Sequence, residues 1–257
     1  MKIKPINNSP ALWLSNFPWK KKNDHKYSRG KLIVIGGQIN MTGATILSAE
    51  AALRVGVGSV KIICSKKTLP IYSSKFPSSL KEVINNLSSL KKLIIKEKNS
   101  VFLIGPGAGV NQLTKERTKL ILKNSKYAII DADALTCFKA KPIELYRLLD
   151  KNKIITPHIK EFHTIFPSIN KKISNYEKII KASRLCKCTI VLKGTNTLIC
   201  SQLGKVVINK HASSELAVIG SGDVLSGIIS SLVGKNKLNP FLSSCAGVWI
   251  HGDIAKK

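Results

Sequence analysis

Six short apolar runs, separated by stretches of helical period, constrain this chain more than anything else in it. They are "KLIVIGG" (31–37), "SVKIIC" (59–64), "VFLIGPG" (101–107), "YAIIDAD" (127–133), "KIITPH" (153–158) and "CTIVLKGT" (188–195). A strand with one wet face alternates apolar and polar residues, whereas strands buried on both faces read as near-continuous apolar runs, as these do. Between them, residues 44–55, 112–123 and 176–186 carry apolar positions at helical spacing. Apolar strands joined by helices predict a three-layer α/β fold, a mostly parallel sheet with helices on both faces. After residue 195 the pattern changes. "TLICSQLGKVVIN" (197–209) reads as a hairpin turning over 202–205, which predicts an antiparallel edge, and two helices follow from about residues 222 and 240.

The 257 residues, 44% hydrophobic, suit one large domain over 1–257, with 1–26 as an N-terminal extension. No apolar run approaches the ~20 residues that span a bilayer. The first 24 residues lack both a continuous apolar stretch and a small-residue cleavage site, so a cytoplasmic protein is expected. Cys64, Cys137, Cys186, Cys188, Cys200 and Cys245 form no CxxC pair and read as small core residues of a reducing compartment. The net charge of +28 is spread along the chain, and only 19–26 and 90–98 are dense in lysine. Aromatics make up 6% and do not interleave with the charge, which argues against a nucleic-acid partner. The lysines read as solvated faces, with some benefit for phosphate-bearing ligands.

In an open parallel sheet, ligands bind beyond the carboxyl ends of the strands. Those ends are rich in chemistry here. "GPGAG" (105–109) permits close backbone approach to a phosphate or ribose, or simply a tight strand-to-helix turn. It is not the GxGxxG fingerprint, and no GxxxxGK[ST] loop occurs. Asp131 and Asp133 of "DADAL" suit a helix cap, or a hydrated Mg²⁺ or ligand hydroxyl. "TPHIKEF" presents His158 and Glu161 after a proline-fixed turn; the spacing to His163 does not fit a zinc HExxH motif. Lys193, Gly194, Thr195, Asn196 and Thr197 supply a cation, a glycine and hydroxyls suited to a nucleotide. In "AVIGSGDVLSG" (217–227), Gly220, Ser221 and Gly222 precede Asp223 and an apolar helical run. Glycines allow close approach, and a helix start offers unpaired N–H groups and a positive dipole end, a site for anionic oxygen. A plain first-turn acid is the alternative reading.

In this order, "RGKLIVIGGQINMTGATILSAEAALRVGVGSV", "IGPGAG", "DADAL", "TPHIKEF", "VLKGTNT" and "GSGDVLSGII" resemble the NAD(P)H-hydrate dehydratases of the ribokinase-like superfamily, over residues 27–251. The resemblance implies a ribokinase-like fold and a repair reaction. Hydrated NADH or NADPH is phosphorylated on its ring hydroxyl by ADP (ATP in eukaryotic members) with Mg²⁺, and phosphate is then eliminated. It implies Asp223 as the catalytic base, Ala44, Gly107, His158 and Asp223 around the hydrated cofactor, and residues 193–197 with Gly222 around the nucleotide. Asp131 and Glu161 are candidates for the Mg²⁺ region, and a homo-oligomer, a tetramer, is implied. The epimerase domain that precedes many relatives is not expected in this chain.

The chain departs from the family pattern at Val218 and Ile219, where a Thr and a small residue usually stand. It departs again at "HASSEL" (211–216), which replaces a Gly-Asn-Pro-Gly-like turn. Either the nucleotide loop has repacked and stays active, or catalysis is weakened; the survival of Asp223, His158 and Lys193 favours activity. A vitamin-precursor kinase of the same superfamily is the nearest rival, and a non-catalytic nucleotide-binding or nucleic-acid-associated protein the more distant one.

Overall fold

The computed structural model of the protein describes residues 5–234 and 238–256. The six apolar runs are strands: β2 (Lys31–Ile35), β3 (Ser59–Cys64), β5 (Val101–Ile104), β6 (Tyr127–Ile130), β7 (Lys153–Ile155) and β8 (Thr189–Leu192). All but β3, which runs to Cys64, end before the Gly, Asp, Thr or Lys that follows the apolar run, so those residues fall in the loops. The hairpin is β9 (Thr197–Cys200) and β10 (Val206–Asn209), antiparallel to each other in register Val206 to Cys200. Two strands escaped the sequence reading. They are β1 (Ile6–Asn7), exposed and within the N-terminal extension, and β4 (Leu80–Val83), only partly buried; both are too short to show a pattern.

Among the described residues, ten strands form one sheet in the order β1-β10-β9-β8-β7-β6-β5-β2-β3-β4, parallel from β8 to β4. The antiparallel pair lies at the other end, with β1 added outside it in parallel with β10. The chain runs outward through β2, β3 and β4, then returns to place β5 on the opposite side of β2. That reversal opens a crevice between the loops after β2 and β5, where open α/β sheets bind ligands.

Helices cover both faces. On one lie α3 (Leu87–Lys96), α4 (Gln112–Asn124), α5 (Ala132–Thr136), α6 (Pro142–Tyr146), α7 (Ile159–Ile165) and α8 (Asn175–Cys186), packed through Leu90, Ile121, Leu135, Phe162 and Ile179. The other holds α1 (Thr42–Val55), α2 (Leu69–Lys75), α9 (Ser221–Gly234) and α10 (Pro240–Ile254), through Ala49, Tyr72, Ile229 and Ala246. The N-terminal segment joins this second face: Trp13 is buried and packs on Phe17 and Trp249. Alternate strand residues feed the two cores, Ile33 and Ile35 one side and Leu32 and Val34 the other, as the period of two requires. Among the described residues, no helix is long and apolar enough to cross a membrane.

Candidate active site

Helices α1 and α9 pack closely enough that a Cβ on Gly227 would overlap the Ser48 carbonyl. This contact sets the position of Asp223. Ser48 Oγ lies 3.1 Å from the Ala44 carbonyl and 2.9 Å from the Asp223 carbonyl, donating its single proton between them and joining the two helices. Before the helix, Gly220 takes φ +90°, a left-handed conformation that suits glycine, and a Cβ there would press on Leu47. The chain enters α9 through a turn in which Ser221 N–H donates to the Val218 carbonyl at 3.3 Å, and Asp223 stands in the first turn of the helix.

The glycine turn after β5 faces the same crevice. Gly107 has φ +65° and lies against the Met41 carbonyl, and its own carbonyl accepts from Gln38 N at 2.8 Å. The Gly37 N–H reaches Thr45 Oγ1 at 2.9 Å and the Tyr72 hydroxyl at 3.0 Å. Ala132 sits at φ +44°, uncommon for alanine, between two aspartates that face different ways. Asp133 Oδ2 accepts from Gly109 N at 2.8 Å and so ties down the GPGAG turn.

Asp131 points into the protein. It caps α5 through Ala132 N at 2.9 Å, and its Oδ1 meets Lys193 Nζ at 2.8 Å while Oδ2 accepts from Ser226 Oγ at 2.5 Å. Its side chain is 2% exposed. Burial acts to raise its pKa, but the Lys193 charge and the hydrogen bonds from Lys193 and Ser226 outweigh this and hold it below the ordinary carboxylate value. Lys193 follows β8, anchored by its N–H to the Pro157 carbonyl at 2.9 Å. Its ammonium reaches the start of α9, where a Cβ on Gly222 would lie 3.5 Å from Nζ. Burial works to lower the Lys193 pKa, yet Asp131, Glu161 and Asp223 together raise it, so the ammonium stays charged.

Asp223 is the acid that this setting leaves poised. Burial, reinforced by the charges of Asp131 and Asp133 and opposed by Lys193, lifts it from 3.8 to about 6. A carboxylate that titrates near neutrality, beside a cation and a helix start, has the properties of a general base next to an anion hole.

His158 does two things at once. Its Nδ1 accepts from Lys160 N and Glu161 N at 3.1 and 3.2 Å, while Glu161 Oε2 accepts from His158 N at 2.8 Å, a capping box with histidine in the serine position. Nε2 stays on the exposed side, 3.4 Å from Glu161 Oε1. Burial raises the Glu161 pKa. Residues 194–196 form an open turn between β8 and β9, and Thr197 Oγ1 donates to the Gly194 carbonyl at 3.0 Å.

Among the described residues, no three His, Cys, Asp or Glu side chains converge as a metal cage. The oxygens of Asp131 are taken by Lys193, Ser226 and Ala132, and Glu161 Oε2 accepts from His158 N, so of these two candidates only Glu161 Oε1, 3.4 Å from His158 Nε2, has room for a further partner. That donor set fits a Mg²⁺ carried mainly by phosphates and water, the habit of this ion, rather than one in a protein cage.

A family model described as NAD(P)H-hydrate dehydratase matches residues 32–257. The chain belongs to the NAD(P)H-hydrate dehydratase family. An ADP-dependent (S)-NAD(P)H-hydrate dehydratase of Neisseria meningitidis is 31% identical over 93% of this chain and 80% of its own length. The Staphylococcus aureus protein of the same name is 33% identical over 86% and 78%. The chain spans 44% of the bifunctional NAD(P)H-hydrate repair enzyme of Escherichia coli, at 31% identity. In three dimensions it is similar to the ADP/ATP-dependent NAD(P)H-hydrate dehydratase of Bacillus subtilis co-crystallized with ATP and Mg²⁺, with TM-score 0.82 and 24% identity over 99% of this chain and 90% of that one. The likeness to a ribokinase-like superfamily protein of Enterococcus faecalis has TM-score 0.84, with 23% identity over 100% and 91% of the two chains. These neighbours share the three-layer fold expected of a dehydratase of this family.

Sequence reasoning missed the side chains that hold this site together. Ser226 and Ser48 are buried hydroxyls on largely apolar helix faces, and that incongruity was the signal available. Ile219 departs from expectation in another way. Its side chain is fully exposed and Val218 is 64% exposed, so both stand outside the packed start of α9.

Proposed function

We propose that this chain dehydrates hydrated NADH and NADPH at the expense of an adenine nucleotide, as the names of its relatives state for them. The observation that carries this is Asp223, raised to about 6, in the first turn of α9 with the Lys193 ammonium alongside. Asp223 takes the proton of the ring hydroxyl as that oxygen attacks the terminal phosphoryl group, forming one O–P bond while the bond to the nucleotide breaks. The Gly222 N–H and the Lys193 ammonium bind the charge that develops on the phosphoryl oxygens, joined by the Ser221 N–H once it leaves the Val218 carbonyl. Phosphate then leaves the ring with its bonding electrons, and a proton leaves the adjacent carbon, which restores the ring double bond. Mg²⁺ would neutralise phosphate charge when bound, with Glu161 the candidate carboxylate to hold it. Ala44, Gly107 and His158 line the hydrated-cofactor side, and residues 193–197 with Gly222 the nucleotide side. ADP is the donor that the names of the Neisseria meningitidis and Staphylococcus aureus relatives support, and on transfer of its terminal phosphoryl group it leaves as AMP.

Assembly into a homo-oligomer, a tetramer, belongs to the same reading. The apolar groove of Leu47, Ala51, Val224, Ile228, Ile250 and Ile254 supports it. The charges on that groove are the paired Glu50 and Arg54, balanced and self-complementary on a chain of net charge +28. Sedimentation velocity of the wild type and of Leu47→Glu tests this, with a smaller species expected for the variant.

The function is tested by following recovery of the reduced-nicotinamide absorbance from hydrated NADPH, with Mg²⁺ and either ADP or ATP. Recovery that Asp223→Asn abolishes is the expected result. A stable phosphoester with no chromophore would instead make the chain a small-alcohol kinase.

A further inference from the structure

The last two turns of α10 are bonded to both ends of the loop that leads into Asp223. At the near end His211 stacks on Trp249, with ring centroids 4.6 Å apart and planes 5° apart. Its Nε2 faces Asp253 Oδ1 at 3.1 Å and its Nδ1 faces Lys256 Nζ at 3.0 Å. Gly252 lets the backbones meet, since a Cβ there would overlap the His211 carbonyl. Asn209 Nδ2 donates to that same carbonyl at 2.8 Å. At the far end, Ser221 Oγ lies 3.3 Å from His251 Nε2.

Between these anchors the loop is held by short turns of its own, Ala217 N to the Ser214 carbonyl at 2.9 Å and Ser221 N to the Val218 carbonyl at 3.3 Å, with little burial. Its regular structure is one 3₁₀ turn, Ser214–Leu216, and Val218 and Ile219 face solvent. A segment with so little burial orders only through its ends. We propose that the C-terminal end of α10 is the clamp that fixes this loop, and that His251 is the positioning residue for Ser221 and hence for the N–H groups at the start of α9. The clamp takes the place of the Gly-Asn-Pro-Gly-like turn that this chain lacks. It rests on reading the start of α9 as the phosphoryl site.

His251 suits that task. It is 9% exposed, and burial, only partly opposed by the Ser221 backbone, pushes its pKa down to about 4. A neutral imidazole carries one donor and one acceptor nitrogen, enough to tether a hydroxyl. It adds no second positive charge to compete with Lys193 for phosphate.

The full chain is assayed as wild type, His251→Leu and His251→Gln, whose amide can reach Ser221. Two readouts are taken: steady-state turnover of hydrated NADPH, and amide hydrogen exchange over 211–224. For the Leu variant, kcat should fall about 10-fold to 100-fold, with the nucleotide KM within about threefold of wild type. Faster exchange should be confined to 218–224, and the Gln variant should recover both. Equal kcat in the two variants, unchanged exchange, or exchange accelerated across the whole sheet would each overturn the clamp. A wild type with no turnover would overturn the dehydratase reading alone. The exchange comparison would still decide the clamp: loss in Leu restored in Gln supports it, and no difference removes it.

Discussion

Lys193 Nζ stands 2.8 Å from Asp131 Oδ1, and the two residues come from strand ends separated by the whole of β7. This one ion pair fixes a cation at the start of α9 and places a buried negative charge behind Asp223. Removing one partner of a buried pair leaves the other uncompensated, which costs about 3–5 kcal/mol. Asp131→Asn should therefore lower the urea midpoint strongly. It also deletes a charge that raises the Asp223 pKa, so the acid limb of the rate profile should move to lower pH. Lys193→Met should move it the opposite way. An unmoved limb in both would mean that Asp223 is not the titrating base.

For the wild type, the base must be ionised, so kcat/KM should fall as pH drops through about 6. The same shift predicts stability. Asp223 binds its proton near 6 when folded and near 3.8 when unfolded, so the folded state holds the extra proton between these values. Its contribution to stability therefore rises as pH falls from above 6 to below 4, and the charged form is a liability at neutral pH. Asp223→Asn should be inactive yet about 1 kcal/mol more stable at pH 7, allowing for solvent screening of a partly exposed group. The gain should vanish below pH 4, as measured by urea titration at several pH values.

Gly227→Ala tests the α1–α9 contact. In a free helix the change should stabilise by about 1 kcal/mol. Here the new methyl meets the Ser48 carbonyl, so a loss of about 1–3 kcal/mol is expected from overpacking. Ser48 also holds the Asp223 carbonyl, so kcat should drop with stability. A stabilised, fully active variant would show that the helices are not in contact there.

Ile219→Thr should change little, because the side chain it alters is fully exposed. Stability within about 0.5 kcal/mol and activity within about threefold are expected. A large gain in kcat would mean that the isoleucine obstructs the nucleotide, as its place in the family pattern suggests.

The sequence alone determined the layers. Buried strands must be apolar on both faces and their helices amphipathic, and those periods are written locally, so β2, β3, β5 to β10 and helices α1, α4, α8, α9 and α10 were legible. That the strand ends share one rim was legible too, because a parallel sheet places successive carboxyl ends side by side, as the Lys193–Asp131 pair shows. Strands β1 and β4 left no such trace: each is short, β1 is exposed and β4 only partly buried, and each is held by its neighbour rather than by its own pattern. Tertiary structure decided the roles. Asp131 reads equally as a cap or a metal ligand until β6 and β8 bring Lys193 and Ser226 onto its oxygens. His251 reads as one more helical residue until α10 lies against Ser221. Pairings across 95 residues, as between Asp131 and Ser226, depend on sheet order and helix packing, which local sequence periodicity does not encode.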